Sequence, residues 1–324
     1  MNPLHLFYAE PDPDRWLLGD RYPRRWIRRL IRGPARISGH QRVFLNLCAG
    51  LDRLKIPYRV NDYRSLQHDP QEIACVLGKD HLLQRSWTHP ILLGPAIFSH
   101  PTDDPQLMQR LPVKQIVVPG EWVRQLWQPY WGDRIKAWPV GIDTDLWTPN
   151  PEKEIDILVY DKVRWCRDKY ESELITPIHF RLQQLGLKVV TLRYGAYEEA
   201  EFHTLLQKSR AMIFLCEHET QGIAYQQALS CNVPILVWDR GGFWQDPMYF
   251  PERVQFAGVS SVPYWDDRCG LKFATVEEFA EQLDAFLDRQ SGFVPRDYVL
   301  ENLTLEKSAQ QYVDLVQQMR QSDG

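Results

Sequence analysis

Residues 211–242 read AMIFLCEHETQGIAYQQALSCNVPILVWDRGG, and the order of residue types in this stretch decides the fold. Positions 211–216 are a short apolar run of the kind that forms a buried strand, and the polar turn HET leads from it into a helical segment. The first N–H groups of a helix have no partner within it, so a first turn carrying Thr220, Gln221 and Gly222 attracts phosphate. Thr220 is suited to act as cap and ligand at once. Glu219 falls at the carboxyl end of the strand, where open α/β sheets bind their ligands. A second strand at 234–238 runs on to Gly241 and Gly242, which let a ligand approach the backbone closely.

Working outward, the same alternation extends over most of the chain. Before the central stretch, apolar runs at 4–9, 58–61, 73–77, 91–97 and 115–118 alternate with helical patterns at 40–55 and 121–131. The 40–55 helix places Val43, Phe44, Leu47, Leu51 and Leu54 on one stripe, and Gly39 just before it suits a tight loop against a ligand. The segment IKAWPVGIDTDLWTPNPEKE, 135–154, has the prolines and closing charges of a crossover, which sets a domain boundary near 150. A second α/β half follows, with strands at 155–160, 187–193 and 255–259 and helices within 168–185, 198–208 and 276–287. A last amphipathic helix at 305–319 has Tyr312, Val316 and Met319 on one stripe that must be buried.

Composition narrows the functional classes. A chain of 324 residues, 44% hydrophobic, can bury two cores of ordinary size. The net charge of −4 argues against general nucleic-acid binding. No apolar run approaches the roughly 20 residues needed to cross a bilayer, and the first residues lack the pattern of a signal peptide, so the chain reads as a soluble cytoplasmic protein. The segment DRYPRRWIRRLIRGP, 20–34, sets Trp26, Ile27, Leu30 and Ile31 against Arg24, Arg25, Arg28, Arg29 and Arg32. As a helix, residues 20–32 suit peripheral contact with an anionic membrane, packing on the first domain, or a collar for an acidic acceptor. The six cysteines are scattered singly and read as reduced core thiols, with no metal site. Asp143 and Asp145 form the Asp-x-Asp pattern of some cation sites, but they coincide with the crossover turn, so no metal and no cofactor is expected.

Three segments together resemble the GT-B glycosyltransferases, and within them the large retaining group known as glycosyltransferase family 4. These are VPGEWVRQLWQPYWGDRIKAWPVGIDTDLWTP (118–149), ETQGIAYQQALSCNVPILV (219–237), and a tail of GG (241–242), CGLKF (269–273) and VEEFAEQLDAFL (276–287). The similarity covers about 115–290, with a weaker echo in SGHQRVFLNLCAGL (38–51). It implies an α/β protein with two Rossmann-like domains facing each other across a cleft. The acceptor-binding domain would be 1–149 and the nucleotide-sugar domain 150–303, with 304–324 a helix returning to the first domain.

The resemblance also implies roles. Glu219 corresponds to the first glutamate of the family's pair, which lies beside the donor sugar. The second falls on Gln227, able to hold a ribose through its amide but without charge. The family's phenylalanine falls on Gln221, and its Gly-Arg after the first strand of the second domain on Asp161 and Lys162. Its next cation falls on Arg167, with Arg164 and Lys169 as an alternative register. Lys162, Arg164 and Arg167 are therefore candidates to neutralise a leaving diphosphate. His100, after the run at 91–97, is a candidate to bond the donor sugar, whereas His218 with Cys216 reads as packing. The implied activity moves a sugar from a nucleotide sugar to a glycan, lipid or small-molecule hydroxyl with retention. The departures at Gln227 and Asp161 leave a non-catalytic nucleotide- or sugar-binding protein as an alternative, and the arginine segment leaves a membrane-surface module.

Overall fold

The structure is a computed structural model and describes residues 2–10 and 37–322. The arginine-rich segment 20–32 lies outside the described residues. The chain divides into two compact units, one of Met1–Val118, Trp127–Trp138 and Ala309–Gly324, the other of Pro119–Leu126 and Pro139–Ser308.

The first unit is built on a parallel six-stranded sheet. Its strands are β1 (Leu4–Phe7), β2 (Tyr58–Val60), β3 (Ala74–Val76), β4 (Ile91–Leu93), β5 (Val113–Val118) and β6 (Ile135–Ala137), in spatial order β2-β1-β3-β4-β5-β6. Every residue of β1, β3 and β4 is buried, as the strands of a sheet covered on both faces must be. Helix α1 (Gly39–Arg53) starts where Ser38 Oγ accepts from Gln41 N at 3.1 Å, and it buries Val43, Phe44, Leu47 and Leu51. Helix α2 (Glu121–Trp131) follows β5. Strand β4 ends at Leu93, short of the expected run to 97, because Gly94 and Ala96 take φ of 102° and 67°, which no strand accommodates. A Cβ on Gly94 would stand 2.2 Å from the Val117 carbonyl oxygen, so only glycine fits there.

The second unit carries a parallel five-stranded sheet of β7 (Ile155–Lys162), β8 (Val189–Arg193), β9 (Ser209–Cys216), β10 (Ile235–Trp238) and β11 (Gly270–Phe273). Its helices are α3 (Thr176–Gln184), α4 (Glu199–Lys208), α5 (Ile223–Ser230), α6 (Val276–Arg289) and α7 (Pro295–Asn302). The two-residue period of a strand sorts the core into two layers. Ile157, Val159, Ile213 and Leu215 pack with Ile178 and Leu182 of α3 and with Phe279, Leu283 and Phe286 of α6. Leu158, Tyr160, Met212 and Phe214 pack on the opposite face with Phe202 and Leu206 of α4, Tyr225 and Leu229 of α5 and Val299 of α7.

The final helix, α8 (Leu305–Ser322), buries Tyr312, Val313 and Val316, and its residues from Ala309 onward belong to the first unit. The expected strand at 255–259 does not form; the segment contributes a single bridge, Phe243 to Ala257, within a long loop. The six thiols are free, but they are not all core groups: Cys48 is half-buried, and Cys166 is exposed with a φ of 48°. No helix among the described residues is long and apolar enough to cross a membrane.

Candidate active site at the edge of the second sheet

The order of the second sheet is β11-β10-β9-β7-β8. The chain leaves β7 toward β8 on one side and returns to β9 on the other, so the connections diverge between β7 and β9. At such a switch point the loops part and leave a crevice at the carboxyl ends of the strands. Lys162 is the last residue of β7 and pairs in register with Cys216, the last residue of β9. The crevice is therefore bounded by whatever follows those two residues.

Lys162 Nζ donates to Glu219 Oε1 in an ion pair whose side chains are only 13% and 9% exposed. Lys162 also lies 4.5 Å from the ring centroid of Tyr194, which continues β8 through a 2.8 Å bond from its N–H to the Asp161 carbonyl oxygen. Burial opposes the lysine's charge, but Glu219, together with Cys216 and Tyr194, more than offsets it, and Lys162 is held above the ordinary lysine range. The backbone of Glu219 is fixed twice. Its N–H donates to the Ser260 carbonyl oxygen at 2.9 Å, and its carbonyl oxygen accepts from Trp122 Nε1 at 2.7 Å.

The other predicted residues are placed as follows. Arg164 donates to the His218 carbonyl oxygen at 3.2 Å, and Glu217 stands 3.7 Å from its Nε. Arg167 bonds both oxygens of Asp161 at 2.7 Å and Glu171 at 2.5 Å, so two carboxylates match its charge. Thr220, Gln221 and Gly222 precede the helix rather than form its first turn. The N-cap of α5 is Gly222, with a φ of 77°, and no side chain caps the helix, so Thr220 is not the cap. A Cβ on Gly222 would lie 2.0 Å from the Tyr225 ring, which explains the glycine. Gln221 is buried; its Oε1 accepts from Val140 N at 3.2 Å, while its Nε2 has no partner. Gln227 is buried midway along α5. The N–H groups at the start of α5 and the unpartnered amide of Gln221 add partial positive charge just beyond Glu219, the partner of Lys162.

His218 packs edge-on to Trp122 at 5.5 Å and against Trp165 at 5.0 Å, while its Nε2 accepts from Trp244 Nε1 at 3.2 Å. Burial, followed by the nearby Arg164, Arg240 and Lys162, holds it down at about 2. It is a neutral packing group, and Cys216 Sγ points at its carbonyl oxygen rather than its ring. Asp143 Oδ1 accepts from Asp145 N at 3.1 Å and Leu146 N at 3.2 Å, which ties it into the crossover turn.

Two predicted residues belong to the first unit. Gly39 opens α1, with nothing within 4 Å of where a Cβ would stand. His100 is completely buried; its Nδ1 lies 2.9 Å from Thr102 Oγ1 and accepts from Thr102 N at 3.2 Å, and its ring meets Tyr130 edge-on. It caps the short turn Pro101–Asp103. Sequence reasoning missed Glu217, Tyr194 and Trp122. Of these only Tyr194 carried a readable signal, as an aromatic followed by glycine at the end of a strand.

No protein-family model and no curated protein matches the sequence. Solved structures do. A sucrose-phosphate synthase from Thermosynechococcus elongatus superposes with a TM-score of 0.54 at 11% identity, covering 99% of this chain and 100% of that one. The apo form of the lipopolysaccharide outer core galactosyltransferase WaaB gives 0.51 at 10% identity over 95% and 97%. The fold is GT-B. A pneumococcal O-GlcNAc transferase, GtfA, solved with UDP and GlcNAc, gives 0.53 at 9% identity, covering 79% of this chain and 58% of its own. Several matched structures are longer proteins, of which this chain spans little more than half, 55% and 57% in two cases. At such identities the likeness establishes the α/β class with two Rossmann-like domains.

Proposed function

We propose that the chain is a glycosyltransferase in which the carboxyl edge of the second sheet binds a nucleotide sugar and transfers the sugar to a hydroxyl acceptor. The observation that carries this reading is the Lys162–Glu219 pair at the switch point of a GT-B sheet, beside the uncapped start of α5. Breaking the bond from sugar to diphosphate places negative charge on the leaving oxygen. Fixed cations and helix N–H groups stabilise that charge without having to reorganise. Lys162, Arg164 and α5 supply them here. Glu219 bonds the hydroxyls of the donor sugar and favours positive charge at its anomeric carbon. With these cations in place, the leaving phosphate oxygen takes the acceptor proton on the same face, so the configuration is retained and no divalent metal is needed. The acceptor is a glycan, a lipid-linked or a small-molecule hydroxyl, and the protein works in the cytoplasm.

Incubation with a panel of nucleotide sugars, reading release of the nucleoside diphosphate with and without acceptors, tests this. Release is expected for one donor, insensitive to EDTA, and lost by about a hundredfold or more in Glu219→Ala while the variant stays folded. Undiminished release by that variant would remove Glu219 from the site, and loss with EDTA would restore a metal at Asp143 and Asp145. A non-catalytic binding protein is the second reading, favoured by the absence of charge at Gln227. Binding of a donor without turnover on any acceptor is its signature.

A further inference from the structure

The loop after β7 carries Arg164, and a side chain that belongs to no motif holds it in place. Glu217, the first residue beyond β9, is 2% exposed. Its Oε1 accepts from Arg164 N at 2.7 Å and from Trp165 N at 2.8 Å. One step earlier Asp161 acts in the same way, accepting from Val163 N at 3.1 Å and gripping Arg167. The Arg164 guanidinium then lies 4.6 Å from the Trp165 ring, and that ring lies against His218.

Successive backbone N–H groups after a strand form a concavity that takes an anion. Here the anion is the protein's own carboxylate. Two consequences follow. The N–H groups of residues 164 and 165 are committed to Glu217, so this loop cannot cradle a phosphate with its backbone, and positive charge for a ligand must come from side chains. Burying a carboxylate is costly unless its bonds are strong and well directed, and two charge-assisted bonds to consecutive N–H groups are of that kind.

We propose that Glu217 is the positioning residue of the anion site. By fixing the backbone at Arg164 and Trp165, it sets where the Arg164 guanidinium stands relative to Lys162 and Glu219. The inference rests on the reading of this edge as a diphosphate site. In this role the geometry of its two backbone bonds decides; its charge draws Arg164 Nε at 3.7 Å but equally repels an incoming anion.

Titration calorimetry of the full chain with inorganic pyrophosphate, accompanied by thermal unfolding, separates position from charge. Glu217→Gln keeps a carbonyl oxygen for both N–H groups, and it retains wild-type affinity or better. Glu217→Asp keeps the charge but falls one methylene short, and it weakens binding about tenfold, roughly the worth of one charge-assisted hydrogen bond. Arg164→Ala costs the wild type a similar factor, but costs the Glu217→Asp protein little more, since the guanidinium is already displaced. Wild-type affinity in a folded Glu217→Asp protein, or a full Arg164→Ala penalty in that background, would overturn the proposal. Absence of pyrophosphate binding by the wild type, with no change in Lys162→Met, would instead overturn the diphosphate reading and this inference with it.

Discussion

Lys162 and Glu219 neutralise each other as a largely buried pair, and that has a measurable consequence. A diphosphate arriving at Lys162 must compete with the carboxylate already there, and it meets that carboxylate's repulsion. Glu219→Gln removes both obstacles, so pyrophosphate is expected to bind about three- to tenfold more tightly while sugar transfer is lost; weaker binding would mean that the pair cooperates in holding the anion. His218 gives a second expectation at this scale. Its folded value of about 2 lies below the unfolded value of 6.5, so between these limits the unfolded chain binds the extra proton. Stability is therefore intact above about pH 6.5 and falls as the pH drops, by up to about 1.4 kcal/mol per unit for this group. In urea unfolding, His218→Gln should show a shallower loss of stability between pH 6.5 and 5; an unchanged slope would show that other groups govern acid sensitivity. The sequence revealed Glu219 and Lys162 because both stand at the ends of apolar runs, where strand boundaries can be read. Glu217 was not legible, since its partners are N–H groups 52 and 53 positions earlier in the chain, and nothing local marks it.

Helix α5 shows how an element can be found and its start misplaced. The apolar run before it and the proline after it fixed its existence, but the polar stretch at 218–222 offered several possible starts. The structure chooses Gly222 because its left-handed backbone turns the chain into the helix, and the Tyr225 ring occupies the place of a side chain. Gly222→Ala is therefore expected to cost about 1–3 kcal/mol from backbone strain and the ring contact together. A denaturant midpoint shift reports it, and pyrophosphate affinity should fall in parallel as the α5 N–H groups turn away. Unaltered stability would show that the turn relaxes freely. Strands β6 and β11 are short, and the sequence hid them. Ile135–Ala137 sits inside a proline-rich crossover, and Gly270–Phe273 begins with a glycine at a φ of 140°, whose Cβ would strike the Ile235 carbonyl oxygen. The opposite error at 255–259 has the same origin, because a five-residue apolar pattern does not say whether a neighbouring strand edge is free to receive it.

At the scale of the whole molecule, two parallel sheets with divergent connections account for the placement of the chemistry. Alternation of apolar runs with amphipathic helices made the α/β class legible, and the GT-B likeness of solved structures agrees with it. Strand order was not legible, because parallel strands of equal apolarity are interchangeable in the sequence. It is that order, β9 beside β7, which brings Lys162 and Glu219 together across 57 positions. The roles of Gly39 and His100 in the first unit rest on the family resemblance, and His100 serves its own unit as the cap of a turn. The central claim is that the edge of the second sheet holds a nucleoside diphosphate through Lys162. The most direct test is titration calorimetry of the wild type and Lys162→Met with uridine, adenosine, guanosine and deoxythymidine diphosphates. Saturable binding of one of them by the wild type, weakened about tenfold or more in the variant, is the expected result. Equal binding by the two proteins, or none by the wild type, would contradict it.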